Sequence, residues 1–267
     1  MEQMELKELQ EIIYGILVEF DRVCQKYDIK YSMEGSTLLG AVKYGDFVPW
    51  DDDIDVIMLR SEYERFLELA PRELREDYFL QSYHNVPEFP LNYAKLCYTK
   101  SEIYDYAYSP IKTMNHGVFM DIFPIDYVEP AKMYNQLHII GLLTGARKTK
   151  LKILYGKIPV WKKLCYRVVS WLPLNVLRKL MDRACTKYNN SDTGFCYEVC
   201  NANKKFKSLP SSMYQNLTTL RFRNREFLAV SGYDQFLRSR FGEDYRIELP
   251  SEDQRKPSHC QNILIKR

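Results

Sequence analysis

The spacing of apolar residues predicts that helices and strands alternate along the first half of the chain. Apolar side chains recur every three or four positions over residues 5–28, which is the pattern of a helix with one buried face. A short helix is expected at 36–43. Ser61 with Glu64 three positions later predicts a capping box that opens a third helix, which is expected to run to about Leu69, with Pro71 just past its end. Runs rich in Val, Leu, Tyr and Phe have the length of strands. These runs lie at residues 30–34, 53–58, 78–83, 91–98 and 117–123.

Residues 131–188 keep the helical pattern but differ in composition. Lys and Arg are interleaved there with Leu, Ile, Val and Trp, most densely over residues 147–180. This shift indicates a basic helical subdomain at 131–207, between a unit at 1–130 and a C-terminal segment at 208–267. A basic amphipathic helix with Trp near its ends is suited to an anionic lipid surface. The alternative is a helical cap whose basic face is only solvated.

Two carboxylates separated by one apolar residue stand out from this pattern. Asp53 and Asp55 flank Ile54 at the start of a predicted strand, and alternate side chains of a strand share a face. Ile54 and Val56 would then point into the core. Two carboxylates on one face repel each other unless a cation lies between them. Hard oxygen ligands in this arrangement suit Mg²⁺, with Mn²⁺ as an alternative.

A small-residue turn lies upstream of these acids. Gly35 and Ser36 stand where a predicted strand ends and a predicted helix begins, and the backbone N–H groups of a helix start can hold a phosphate. Acidic runs are often only solvated turns. Here Pro49 and Trp50 make the approach restricted, and an apolar run follows the acids. A phosphate site and a metal site so close in sequence indicate phosphoryl transfer.

Two more charged residues lie within predicted strands. Asp121 stands inside an apolar run, and because an unpaired buried carboxylate is costly, we expect a metal, a basic partner or a substrate proton beside it. Asp126 follows Pro124 and is expected to be a turn or capping residue. Lys95 is expected either on an edge strand, facing water, or aimed at a phosphate.

The composition of the 267 residues is that of a soluble globular protein, with 46% hydrophobic and 27% charged residues and a net charge of only +3. That charge does not indicate a nucleic-acid binder. The seven cysteines are spread without a tight Cys-x-x-Cys pair, and the N-terminus lacks a signal-peptide core. We therefore expect a reducing, cytoplasmic setting in which buried thiols are favoured over a zinc site formed by Cys185, Cys196, Cys200 and the His259–Cys260 pair. No apolar run reaches the roughly 18 residues that span a bilayer.

Two motifs give the chain a family resemblance. EGSTLLGAV at residues 34–42 and FVPWDDDID at 47–55 strongly resemble the LicD family. Segments at 117–126 and 221–227, and FGEDY at 241–245 before a Pro and a terminal Arg and His, resemble it in the same order. The resemblance implies an α+β, nucleotidyltransferase-like fold. In this fold, helices flank a mixed sheet. The expected catalytic core spans residues 1–130, the basic helical subdomain spans residues 131–207, and the segment at 208–267 completes the active site.

The same resemblance implies a reaction and its residues. Phosphocholine, or a related phospho-group, would move from a CDP-linked donor to a hydroxyl of a cell-surface glycan precursor such as teichoic acid, releasing CMP. The acids expected to bind the metal and act in catalysis, with Asp121 as ligand or general base, are Asp53, Asp55 and Asp121. Asp51 and Asp52 are expected to be turn or supporting residues. The expected substrate-binding residues, for a phosphate oxygen and the CMP leaving group, are Gly35, Ser36, Lys95, Arg255 and His259.

Two alternative functions stay open. One is a nucleotidyl transferase that acts on a small hydroxylated acceptor, and the other is a non-catalytic protein that interacts with a membrane surface. The intact Gly-Ser and Asp-x-Asp elements argue against the second. The expected partners are a CDP-linked donor and a glycan or lipid-linked glycan acceptor, with no nucleic acid. We expect a cytoplasmic protein that associates peripherally with the inner membrane face through residues 147–180.

Overall fold

The computed structural model describes residues 2–3, 5–103, 108, 110–153, 156–247 and 263–265. The helices of this part are α1 (Leu6–Lys26), α2 (Gly35–Tyr44), α3 (Arg60–Glu73), α4 (Pro130–Lys150), α5 (Val160–Val169), α6 (Leu174–Cys185), α7 (Ser211–Gln215) and α8 (Tyr233–Phe241). The strands are β1 (Glu2–Gln3), β2 (Ser32–Met33), β3 (Asp55–Leu59), β4 (Tyr78–Gln81), β5 (Ala94–Tyr98), β6 (Glu102–Ile103), β7 (Val118–Tyr127), β8 (Phe195–Tyr197), β9 (Leu209–Pro210), β10 (Leu217–Phe222), β11 (Arg225–Val230) and β12 (Ile263–Ile265). Val199–Asn201 form a 3₁₀ turn.

A mixed sheet lies at the centre of the fold. Its strand order is β2-β3-β7-β5-β4, and the end of β7 also pairs with β8, which in turn pairs with β9. β3 and β7 run parallel, whereas the other neighbours are antiparallel. Helices flank this sheet, so the predicted α+β fold is confirmed. Because β3 and β7 are parallel, the start of β3 lies beside the first half of β7. The acidic residues lie at this end of the two strands, which is called the acidic edge below.

The main core joins the two ends of the chain. The apolar face of α1 is buried in it, as the spacing over residues 5–28 predicts. The same cluster contains side chains of the β10–β11 hairpin and of α8. Its largest C-terminal members are Phe222, Phe227 and Phe236, all within 1% of full burial. Residues from the C-terminal segment are therefore part of the core that supports the acidic edge.

Helices α4 and α6 form a second apolar cluster beside the sheet. Its fully buried members include Leu137, Ile140, Leu177 and Met181. Arg147 of α4 connects this cluster to the segment that precedes β5. Its buried guanidinium donates hydrogen bonds to Asn92 Oδ1 at 2.8 Å and to two backbone carbonyls of that segment. By contrast, α5 buries none of its side chains. The domain boundaries at 130 and 207 stay a prediction.

The start and end of α3 differ from the sequence prediction. The helix begins at Arg60 with no side-chain cap, so the capping box at Ser61 and Glu64 is wrong. Strand β3 runs directly into the helix, which leaves no turn for a box. The helix also continues through Pro71 to Glu73. A proline in the last turn removes only one backbone hydrogen bond, and the buried face of the helix keeps its contacts.

Asp126 is a strand residue and not the predicted turn or cap. Its fully buried carboxylate accepts two hydrogen bonds from Arg60, at 2.8 and 2.7 Å, and one from Asn189 at 2.7 Å. The error arose at Pro124, which was taken to end the strand. Pro124 instead lies within β7, opposite Met58.

The cysteine and membrane expectations can be compared with the described residues. Cys185, Cys196 and Cys200 are buried free thiols, as predicted. Within the described residues, no helix is both long and apolar enough to cross a membrane.

Candidate active site

Strand register brings three charged side chains to one level of the sheet. Asp55 on β3 is paired with Asp121 on the parallel strand β7, and Lys95 on β5 is paired with Asp121 from the other side. Lys95 Nζ lies 2.7 Å from Asp121 Oδ1, and only 8% of the lysine side chain is exposed. β5 is an interior strand, so the edge-strand alternative for Lys95 is wrong. The basic partner expected for Asp121 is this lysine.

The segment before β3 adds further carboxylates to this edge. Carboxylate oxygens of Asp51, Asp52 and Asp53 lie within 4.8 Å of one another. Asp51 is hydrogen-bonded to Ser36, while its Oδ2 is buried and has no hydrogen-bond partner among the described residues. Burial and the neighbouring Asp53 raise the pKa of Asp51 to about 8. Asp51, expected to be a supporting residue, therefore lies inside the acidic cluster.

Asp55 lies at the centre of the acids. Burial, followed by the charges of Asp53 and Asp121, raises the pKa of its carboxyl well above the ordinary value. Ile54 and Val56 are fully buried on the opposite face, as the alternation predicted. Regular strand structure begins at Asp55, so Asp53 belongs to the extended segment before it. Carboxylates that repel in a poorly hydrated site are stabilised by a cation among them.

Helix α2 is held against this cluster by its first turn. Gly35 has φ +53°, a left-handed conformation that favours glycine, and it follows Glu34 directly. Thr37 Oγ1 accepts a hydrogen bond of 2.9 Å from the backbone N–H of Asp55. Gly40 allows close approach on the other side, because a Cβ there would lie 2.5 Å from the carbonyl oxygen of Asp46. The Gly35–Ser36 turn thus lies beside the acids, as its position in the sequence predicted.

Sequence reasoning missed a second charged group at the same edge. Arg240 of α8 lies 3.4 Å from Glu34 Oε1, and its guanidinium stacks on Phe206 with the Cζ atom 4.3 Å from the ring centroid. Its Nε is buried without a hydrogen-bond partner in the described part of the chain. Burial and the charge of Glu34 raise the pKa of Glu198 to about 8. Glu34 lies within the EGSTLLGAV motif, but no local pattern marks Arg240 or Glu198.

The donor set of this edge fits a divalent cation. Among the described residues, the carboxylates at this edge outnumber the two cationic groups, Lys95 and Arg240. The carboxylates are Glu34, Asp51, Asp53, Asp55 and Asp121. Hard oxygen ligands with an excess of negative charge are the chemistry that Mg²⁺ prefers, and such sites also take Mn²⁺.

Some predicted site residues cannot be placed. Arg255 and His259 lie outside the described residues. The sequence also has a tyrosine cluster, Tyr104, Tyr106 and Tyr108, which we expect either to line a choline pocket or to pack on the core as an aromatic edge strand; Tyr104 and Tyr106 lie outside the described residues. The third, Tyr108, packs against a separate small apolar cluster. The roles of these residues stay predictions.

The fold and the acidic edge define the class of the protein. A mixed sheet that carries acids on adjacent parallel strands, with a Gly-Ser helix start beside them, is a nucleotidyltransferase-like arrangement. Residues 28–145 match the nucleotidyltransferase domain of the LicD/FKTN/FKRP group. Over this range, which is less than half of the chain, the protein is similar to the LicD family.

The chain is also similar to individual proteins, one of them along its whole length. The lipopolysaccharide cholinephosphotransferase LicD of Haemophilus influenzae is 29% identical over 277 residues, covering 99% of this chain and 100% of that protein. Shorter matches of 60 residues, about a fifth of each chain, link it to uncharacterised proteins of Rickettsia typhi (32% identical) and Rickettsia prowazekii (30% identical). The first relative has the same extent as this chain.

Proposed function

We propose that the protein is a metal-dependent phosphotransferase. It moves phosphocholine from a CDP-linked donor to a hydroxyl of a cell-surface glycan precursor and releases CMP. One observation carries the proposal: Asp55, Asp121 and Lys95 lie side by side on three neighbouring strands, next to the carboxylates of Asp51, Asp52 and Asp53. The end-to-end similarity to a lipopolysaccharide cholinephosphotransferase supports the choice of phosphocholine and of a glycan acceptor.

Each site residue has a distinct role in the proposed reaction. Asp53 and Asp55 would hold Mg²⁺, which would neutralise charge on the donor diphosphate, and Asp121 would be either a third ligand or the general base. Ser36 and the first N–H groups of α2 bind a phosphate oxygen of the donor. Lys95 supplies the positive charge that stabilises the departing CMP phosphate.

The bonds exchanged in the step balance. The acceptor oxygen attacks the phosphorus that carries the choline, and the bond from that phosphorus to the CMP phosphate oxygen breaks. The acceptor proton passes to a base, for which Asp121 is our candidate if it is not a metal ligand. An arginine that stacks on aromatic rings and pairs with an acid is pre-organised for an anion, so Arg240 is an additional candidate to bind donor phosphate.

The direct test is product analysis with the full chain. We expect CMP to be released from CDP-choline in the presence of Mg²⁺ and a glycan acceptor, with the choline label appearing on the glycan. CDP-glycerol and CDP-ribitol serve as competing donors. Transfer of the nucleotide rather than the choline label would support the nucleotidyl transferase alternative and refute the proposal. No release with any donor, in a preparation that binds Mg²⁺, would refute it as well.

Replacing the buried lysine should isolate its contribution. We expect Lys95→Met to lower kcat about 100- to 1,000-fold, the loss typical of removing one group that stabilises charge in the transition state. The matched control is Lys100→Met, because Lys100 follows the same strand but is 62% exposed in its side chain. Both variants should be compared by steady-state kinetics and thermal unfolding. Equal activity of the two variants would contradict the role of Lys95.

A further inference from the structure

Helix α5 presents an apolar face to solvent. Five large side chains are more than half exposed, although large apolar residues are usually buried. These residues, called the α5 face below, are Val160 (83% exposed), Trp161 (64%), Leu164 (64%), Val168 (65%) and Trp171 (85%). At 100° per residue, the four members within α5 fall within an arc of roughly 100° and form one stripe, while Trp171 is exposed two residues beyond the end of the helix. Such a stripe requires a partner that is itself apolar.

The opposite side of α5 is already occupied. Tyr166 and Val169 face the body of the protein, where Val169 packs on the α4–α6 cluster. Tyr166 lies so close to α4 that a Cβ at Gly145 would be 2.5 Å from its ring. The helix is therefore held by one face, and the stripe cannot turn inward without breaking these contacts.

The surroundings of the α5 face are strongly basic. Between Glu129 and Asp182 the chain carries 11 Lys and Arg residues and no Asp or Glu, whereas the rest of the chain is net acidic. Lys162, Lys163 and Arg167 of α5 are exposed. A groove of about 370 Å³ between α4 and α5 continues from Trp161 and is lined by Lys162 and Lys204. Exposed positive charge thus lies beside the apolar stripe on Lys162, Lys163 and Arg167.

We propose that the α5 face docks the protein on an anionic lipid bilayer. Apolar side chains would enter the region between headgroups and acyl chains, the two Trp rings would lie at that boundary, and the cations would contact lipid phosphates. A nucleic acid would pair with the cations but leave the stripe in water. A second copy of the chain would bury the stripe but bring like charges together. The bilayer satisfies both features.

Cosedimentation with vesicles tests this directly. We expect the full chain to sediment with vesicles of phosphatidylcholine and phosphatidylglycerol at low salt, less at moderate salt, and little with phosphatidylcholine alone. Trp161→Glu/Trp171→Glu should abolish sedimentation. Lys163→Glu/Arg167→Glu should lower the partition coefficient about a hundredfold or more, because four units of charge change near the surface.

Matched control variants separate the loss of lipid docking from the effect of adding negative charge elsewhere on the surface. Ile247→Glu alters an apolar residue that is 82% exposed elsewhere on the protein. Lys7→Glu/Arg72→Glu makes the same change of charge on exposed residues of α1 and α3. Both controls should sediment like the wild type. Tryptophan emission should shift to the blue on anionic vesicles and lose that shift in Trp161→Phe/Trp171→Phe, which retains Trp50.

Several outcomes would overturn the proposal. They are a wild-type protein that stays in the supernatant, binding that ignores lipid charge and salt, and a double Trp variant that binds like the wild type. A dimer in solution that becomes monomeric in Trp161→Glu/Trp171→Glu would assign the face to a second copy instead. Because transfer to a soluble acceptor should be unchanged in these variants, failure here is distinct from failure of the proposed reaction.

Discussion

Asp55→Asn and Asp53→Asn should abolish turnover while leaving the fold intact. Losing a ligand removes several kcal/mol of transition-state stabilisation, which corresponds to a loss of about a thousandfold or more. The free protein should not lose thermal stability, because its carboxylates repel one another when no cation is bound. Steady-state rates at saturating Mg²⁺, together with melting temperatures with and without Mg²⁺, measure both effects.

The metal-dependent shift in melting temperature provides a readout other than activity. The wild type should melt at higher temperature when Mg²⁺ or Mn²⁺ is added, and both Asn variants should lose most of that shift. The matched control is Asp28→Asn, at a carboxylate that is 85% exposed. Near wild-type turnover in either variant at saturating Mg²⁺ would refute the assignment of these acids.

The largest effect on stability is expected at Asp126. Asp126→Ala leaves the guanidinium of Arg60, only 11% exposed, without its two hydrogen bonds, and should reduce the free energy of unfolding by about 3–5 kcal/mol. The double variant Arg60→Met/Asp126→Leu removes both charges and should recover much of that loss. Urea unfolding followed by circular dichroism measures both values.

A surface ion pair serves as the comparison for the buried pair of Arg60 and Asp126. Asp234→Ala removes the carboxylate that pairs with Arg238 and Arg246, all of them well exposed, and should change stability much less than Asp126→Ala. If the two alanine variants are equally stable, then the buried pair does not hold α3 to the end of β7. If the double variant is no more stable than Asp126→Ala, the cost lies in lost packing rather than in the unpaired charge.

The regular elements could be predicted where a local pattern decides them. The three-and-four spacing predicted α1 to within two residues, and the apolar runs located β3, β4, β5 and β7. The errors lie at boundaries. The sequence predicts that a strand ends before Pro124 and a helix before Pro71, but the strand continues to Tyr127 and the helix includes Pro71. Tertiary packing outweighs a single proline in both cases.

Part of the candidate site could be anticipated for the same local reason. Asp53 and Asp55 stand two positions apart, and Asp121 is an acid in an apolar run, so each is unfavourable without a partner. The position of Lys95 could be narrowed only to two alternatives. Whether its strand, β5, is an edge or an interior strand depends on its pairing with β4 and β7. Nothing in the local sequence pairs Glu34 with Arg240, since the two lie at opposite ends of the chain.

The sequence by itself thus indicated most of the elements, the acidic motif and the resemblance to the LicD family, because each depends on residues a few positions apart. Only the tertiary structure decided which charges meet. Strand register set Lys95 and Asp55 on either side of Asp121, and the return of α8 to the core placed Arg240 beside Glu34. It also decided which face of α5 is covered: Tyr166 packs on α4, and Trp161 and Trp171 stay in solvent. Periodicity shows that a helix has an apolar side, but only packing shows whether that side is filled.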